Sequence, residues 1–311
     1  MTRIISNIGN VNPGIFRSII WNCDGEYCIT CDSFRIVSLW NPYPSAEQVQ
    51  EASQIKPLAQ YKGHNRDVLS VHASSDNAKI CSAGQDKAVF CWDVESGRIT
   101  HRLTHHTGRI QCARFTHTDA NGIISGSLDC HVCVWDLRRS SKPVQIMKDA
   151  KDAIYSLVTT DAQHQHRIIT GSLDCRVRTY DLRKTTLFTD CVGWPVSCVR
   201  TDGNQAVLVC CQDGPLRLLD LSDGQILADY KGHSCKSFIV ECDLDCSGSK
   251  VMAGSETDGI VRVWDMLGQN EIDQLKHSTN SPILTLATHP TKSGRLITAQ
   301  NSRFYVWQQD T

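Results

Sequence analysis

Net charge is nearly absent from this sequence. Across 311 residues, 32 Lys and Arg stand against 33 Asp and Glu, a formal balance of −1. Such a chain offers no general attraction to nucleic acid or to an anionic membrane, so neither is expected as a direct partner. Long apolar runs are missing too. None approaches the ~20 residues that cross a bilayer as a helix, and the first residues lack the pattern of a secretory signal. The expectation is a soluble protein of the cytoplasm or nucleus. Proline is scarce, nine in all, and three of those (Pro42, Pro44 and Pro57) fall in one stretch, Asn41 to Ala59, which reads as a surface insertion. Cysteine is the exception, with sixteen. In a chain of this length without a secretion signal they read as free, buried thiols and not as a disulfide scaffold. The pairs Cys28/Cys31 and Cys130/Cys133 have C-x-x-C spacing, but they fall on or beside strands. Residues three apart on a strand face opposite ways, so neither pair is read as a zinc or redox site. No metal or cofactor is expected, and the strip Gln163-His-Gln-His166 reads as a solvated turn.

What is present is repetition. Ile123-Ile-Ser-Gly-Ser-Leu-Asp129-Cys-His-Val-Cys-Val-Trp135-Asp136-Leu-Arg138 recurs as Ile168-Ile-Thr-Gly-Ser-Leu-Asp174-Cys-Arg-Val-Arg-Thr-Tyr180-Asp181-Leu-Arg183. Each copy reads as strand, tight turn and second strand ending on an aromatic followed by Asp. The closing residue recurs at Trp40, Trp92, Trp135, Tyr180, Leu219, Trp264 and Trp307, a spacing close to the roughly 40–45 residues of a four-stranded propeller blade. An Asp stands six places before the anchor at Asp86, Asp129, Asp174, Asp213 and Asp258, and a Gly-His opening survives at Gly63-His64 and Gly232-His233. At these residues the chain resembles the WD-repeat family. The reading is an all-β, seven-bladed propeller of four-stranded blades forming one domain over 1–311. Its repeats lie at approximately 13–42, 60–97, 102–140, 147–184, 190–224, 229–268 and 274–309. The last repeat ends too soon to supply its own outer strand, so residues 3–8 are expected to complete that blade and cover its open sheet edge.

In families with this pattern the His, Ser or Thr, Asp and Trp of one repeat join in a buried hydrogen-bonded chain. Here that resemblance marks His64, Ser82, Asp86 and Trp92, then His106, Ser125, Asp129 and Trp135, with Asp174, Asp213, His233, Asp258 and Trp264 as members in later repeats. A Ser-His-Asp set also suggests hydrolysis. It recurs around the chain with an indole as fourth member and without a nucleophile elbow, so it reads as scaffold and the protein as no enzyme. The first repeat has Phe34 in the Asp place and is expected to rely on packing. Ala150 and Val192 replace the histidine in the fourth and fifth, which are likewise expected to be held by apolar contacts. Asn301 takes the Asp place in the seventh, beside His277 and Thr298.

The connection into each blade and the Asp turn share one end of a propeller. Arg17, Asn65, Asp67, Gln85, Thr107, Arg109, Gln111, Lys151, Tyr155, Gln212, Lys236 and Thr257 are therefore candidates for protein binding there, led by Arg17, Arg109 and Tyr155, whose types are common hot spots. The opposite end receives Arg138-Arg139 and Arg183-Lys184. The run ending in Trp135-Asp-Leu-Arg138, echoed at Arg183, resembles the box through which WD-repeat substrate receptors dock on the adaptor of cullin-RING ubiquitin ligases. Over Phe16 to Trp307 the chain also resembles the mitogen-activated protein kinase organizer type of WD-repeat scaffold. Asp24-Gly-Glu-Tyr-Cys-Ile-Thr-Cys31, the runs from Gln85 to Gly97 and from Gly171 to Arg183, Leu216-Arg-Leu-Leu-Asp220, Asp229-Tyr-Lys-Gly-His233 and Leu284-Thr-Leu-Ala-Thr-His-Pro290 carry that likeness. Phe34, the Asn41 to Ala59 insertion and His105 in place of Gly depart from it. It implies a non-catalytic scaffold whose partners are kinase-cascade or spliceosome proteins; a monomer is the separate expectation. A ubiquitin-ligase adaptor is the alternative partner.

Overall fold

Alternation of small or apolar residues with polar ones over five or six positions makes strands that bury a face against each neighbour. The computed structural model describes residues 2–9, 14–43, 56–116, 120–139, 141–160, 166–184, 186–203 and 205–309. In them the chain forms β1 (Thr2–Gly9), β2 (Phe16–Trp21), β3 (Cys28–Asp32), β4 (Ile36–Trp40), β5 (Ala59–Lys62), β6 (Val68–Ala73), β7 (Lys79–Gly84), β8 (Ala88–Asp93), β9 (Ile99–Thr104), β10 (Ile110–Phe115), β11 (Gly122–Ser127), β12 (Val132–Asp136), β13 (Gln145–Met147) and β14 (Ile154–Thr160). There follow β15 (Arg167–Ser172), β16 (Arg176–Asp181), β17 (Thr186–Cys191), β18 (Val196–Thr201), β19 (Ala206–Cys211), β20 (Leu216–Asp220), β21 (Ile226–Tyr230), β22 (Cys242–Leu244), β23 (Lys250–Ala253), β24 (Ile260–Asp265), β25 (Glu271–Lys276), β26 (Ile283–Thr288), β27 (Arg295–Gln300) and β28 (Arg303–Gln309). They make seven antiparallel four-stranded sheets, the blades of a propeller.

Six sheets are built from consecutive strands. The seventh has the order β1-β28-β27-β26, so the N-terminal strand completes the last blade, as the short final repeat required. Ile8 lies opposite Phe304 in that pairing and is fully buried with Phe16, Trp40 and Phe304. One strand thus joins the first and last blades.

The core lies between blades, because successive side chains on each strand face opposite neighbours. Trp92 and Phe90 pack back on Tyr61 and Val37 of the first blade, whereas Cys91 and Val89 pack forward on Trp135 and Ile110 of the third. Cys28 and Cys31 part in the same way, into different clusters. All sixteen cysteines are free. The Asp turn demands a left-handed residue, taken by Arg35, Lys87, Cys130 and Cys175 at φ between 63 and 69°. At Gly84 a Cβ would sit 2.1 Å from the Asp67 carbonyl, which explains the glycine.

Candidate functional site

The second and third blades hold complete polar chains. His64 Nδ1 is 2.8 Å from Asp86 Oδ2, His64 Nε2 is 2.7 Å from Ser82 Oγ, and Trp92 Nε1 donates to that same oxygen at 2.7 Å. Asp86 also accepts from the Asn65 and Ala88 amides. His106, Asp129, Ser125 and Trp135 repeat the set at 2.8–2.9 Å, with the Thr107 and His131 amides on Asp129. A carboxylate only accepts and an indole only donates, so each imidazole donates from Nδ1 to its Asp and each Ser oxygen accepts from its Trp. Ser82 and Ser125 are fully buried. With the hydroxyl clamped between imidazole and indole, no substrate reaches it, and the set supports a blade.

Four other blades correct the sequence reading. In the first, polar bonds persist: Trp40 Nε1 donates to Thr30 Oγ1 at 2.8 Å, and buried Asp32, two residues before exposed Phe34, accepts from the Phe34 and Ile36 amides. In the fourth, packing does not act alone. Arg178, 1% exposed, reaches Asp174 with both terminal nitrogens, at 3.1 and 2.6 Å, in a blade where Ala150 stands in the histidine place. In the fifth, Asp213 is exposed in a left-handed turn, and Arg217 instead pairs with Asp229 at 2.9 Å and lies 4.5 Å over the Trp194 ring. In the sixth, Asp258 is bound by Arg262 at 2.6 Å, while His233 turns to Cys210 Sγ at 3.8 Å and packs edge-on to Trp264. Ala253 occupies the place of the network serine there, opposite Arg262 in the ladder, so the chain that His233, Asp258 and Trp264 were expected to share does not form. The seventh keeps His277 and Trp307 on Thr298 Oγ1, both at 2.8 Å.

A rule emerges two places before the anchor. Arg178, Arg217 and Arg262 stand there in the fourth, fifth and sixth blades, whose histidine is missing or turned away, whereas Phe90, Cys133 and Tyr305 stand there where the histidine is engaged; the first blade, which has no histidine, carries Ser38 instead. Phe90 stacks on His64 at 4.3 Å and Tyr305 meets His277 at 4.9 Å. On Asp86 and Asp129 the partner is an imidazole, on Asp174 and Asp258 a guanidinium.

The titrations have one sign. Burial holds His277 down at about 4. Burial pushes Asp86, Asp174 and Asp258 up, but hydrogen bonds from His64, Arg178 and Arg262 bring each below the usual carboxylate range. An unfolded histidine takes its proton near 6.5, so the His277 contribution is full above that pH and is lost as pH falls toward 4, by at most about 3 kcal/mol. The carboxylate contributions are lost at lower pH still. Denaturant midpoints should fall from pH 7 to 4.5, and His277→Asn should flatten that slope.

At the end carrying the Asp turns, the axial channel opens into a cavity of about 270 Å³. Of the sequence candidates, Arg17, Gln111, Tyr155 and Gln212 line it. Arg17 also pairs with Asp67 at 3.4 Å, and Gln212 donates to the Lys236 carbonyl at 2.6 Å. Asn65, Asp67, Gln85, Thr107, Arg109, Lys151, Lys236 and Thr257 lie outside its lining. Sequence reasoning missed Phe238 and Ile239, which line the cavity and are 47% and 37% exposed. They sit on a loop that one carboxylate holds: Glu256 Oε2 accepts the Lys236, Ser237 and Phe238 amides at 2.6, 2.8 and 3.3 Å. The available signal was the length of this connection beside its counterparts.

The WD domain, G-beta repeat family matches residues 55–93, 97–136 and 224–265. WD repeat domain-containing protein 83 of Homo sapiens is 37% identical over 96% of this chain and 89% of its own length. The Danio rerio protein of that name is 36% identical over 94% and 88%. The chain belongs to this WD-repeat family. The Dictyostelium discoideum homolog, 27% identical, covers 99% of the chain and 97% of itself. WD-repeat propellers are generally non-catalytic protein-interaction scaffolds.

Like other members of that class, this WD-repeat protein has a second end face. There Arg138 is bidentate to its own Asp136 at 3.0 and 3.2 Å yet 65% exposed, with Arg139 beside it. Arg183 is exposed in the next blade, 2.9 Å from His166. Residues 163–165 of the Gln-His strip and 44–55 of the insertion lie outside the described residues. Among the described residues no three His, Cys, Asp or Glu side chains converge as metal ligands.

Proposed function

We propose that this protein is a monomeric scaffold of the cytoplasm or nucleus that grips protein partners at the channel mouth, and that those partners are kinase-cascade or spliceosome components. The observation that carries the site is the exposed Phe238-Ile239 pair, held in place by Glu256 beside Tyr155 and Arg17. An apolar anchor flanked by Arg and Tyr is the composition of an interaction hot spot. The likeness of Phe16 to Trp307 to the organizer type supports the partner class. Affinity capture from matched lysate should lose those partners with Phe238→Asp and Ile239→Asp together, while thermal stability stays near wild type. Retention of every partner by that variant would remove the mouth as the site.

The exposed guanidiniums of Arg138 and Arg183 favour a second reading, docking on a ubiquitin-ligase adaptor from the opposite face. Arg138→Ala with Arg183→Ala should then abolish adaptor capture and leave the mouth partners bound. Capture of no adaptor by the wild-type protein would sink this reading.

A further inference from the structure

Below the mouth the channel widens into a chamber of about 680 Å³ to which all seven inner strands contribute. Arg114 and Arg200 line both spaces and so form the waist between them. Arg200 is engaged. Its Nη2 lies 3.3 Å from Glu241, its Nε 3.9 Å from Asp243, and its Nη1 donates to the Val199 carbonyl at 3.1 Å. Those carboxylates are engaged in turn, Glu241 by the Thr285 hydroxyl and Asp243 by the Thr288 amide and hydroxyl. Arg114, on β10, is left over. Among the described residues no carboxylate forms an ion pair with its guanidinium. Burial, and then the charge of Arg200, pull it down to about 10 against the opposing pull of Glu241 and Asp243. A desolvated guanidinium with no carboxylate in direct contact is an arrangement that a bound anion relieves.

We propose that this chamber binds a small organic monocarboxylate with an apolar body, the carboxylate resting on Arg114. The volume falls within the roughly 300–1,000 Å³ of small-molecule sites, which are mainly apolar with a few polar groups. Trp21, Phe115, Val158 and Leu286 supply the apolar wall. A guanidinium fork matches a carboxylate in two parallel bonds. Asp202 and Asp243 line the same chamber and balance Arg114 and Arg200 in formal charge, so each further negative charge on a ligand is opposed and a doubly charged one such as phosphate is disfavoured. This goes beyond the protein-binding role, which uses the other end of the channel.

The test is saturation-transfer NMR on the full chain with 3-phenylpropanoate, its amide and inorganic phosphate. Wild type should bind the acid at millimolar concentration, with the amide and phosphate each weaker by about tenfold or more. Arg114→Gln should lose the acid to the same degree, and Arg114→Lys should keep part of it. Thr159→Trp, at a partly buried chamber-lining position outside the core clusters, puts an indole into the chamber and keeps Arg114; it covers the case in which Arg114→Gln fails to fold, and it should block binding. Equal binding of acid and amide, preference for phosphate, no binding by wild type, or acid binding unchanged in Thr159→Trp would each overturn the proposal.

Discussion

Removing residues 1–9 is expected to destabilise the whole ring, with a large fall in melting temperature and association of the product on gel filtration. β1 pairs with β28 from Thr2 to Gly9, and among the described residues no other strand pairs with that edge of the sheet. The same strand reaches both neighbours: Thr2 bonds to Asp273 of the sixth blade and Ser6 Oγ donates to the Pro42 carbonyl after the first. Ile8 alone is buried completely, and Ile8→Ala should cost about 2–5 kcal/mol. The deletion removes that contact together with a ladder and leaves a flat edge that invites pairing with another chain. A truncated protein that melts with the wild type would refute closure by β1 as a stabilising element.

The second large effect is expected in the fourth blade. Arg178→Phe strands the Asp174 carboxylate without its cation, and loss of one partner from a buried pair costs about 3–5 kcal/mol. The alternation of Arg with His predicts a rescue. Ala150→His combined with Arg178→Phe reproduces the arrangement of His64 on Phe90 and should recover much of that stability, although each change alone removes or crowds something. Urea denaturation of both single variants and the double variant gives the coupling directly. If the double variant is no better than Arg178→Phe, the two side chains do not share a function.

How legible was this molecule in its sequence? Blade number and closure were, because period and strand count are set by backbone geometry, which seven similar segments repeat. The complete networks were visible where all four residue types survive, at His64 to Trp92 and His106 to Trp135. Substitution hid the rest. The fourth blade read as held by apolar contacts because Ala150 stands in the histidine place, and the cation that binds Asp174 comes from position 178, another strand and another residue type. His233 misled in the opposite way, keeping its motif while an inserted loop and Ala253 removed its usual partners. Phe238 and Ile239 carried no motif at all. Their role as candidates depends on a carboxylate eighteen residues later in the chain, Glu256, folding the loop under them.

That clasp bears on how tightly a partner could be held. A loop that orders only on binding lowers affinity by the conformational freedom it gives up, roughly 0.5–1.5 kcal/mol for each immobilised side chain. Here three backbone amides are already fixed on one carboxylate before any encounter. Glu256→Gln weakens that hold without touching the contact surface. Its signature would be entropic, a less favourable binding entropy and a slower approach to the bound state, in a protein whose contact residues are all still present.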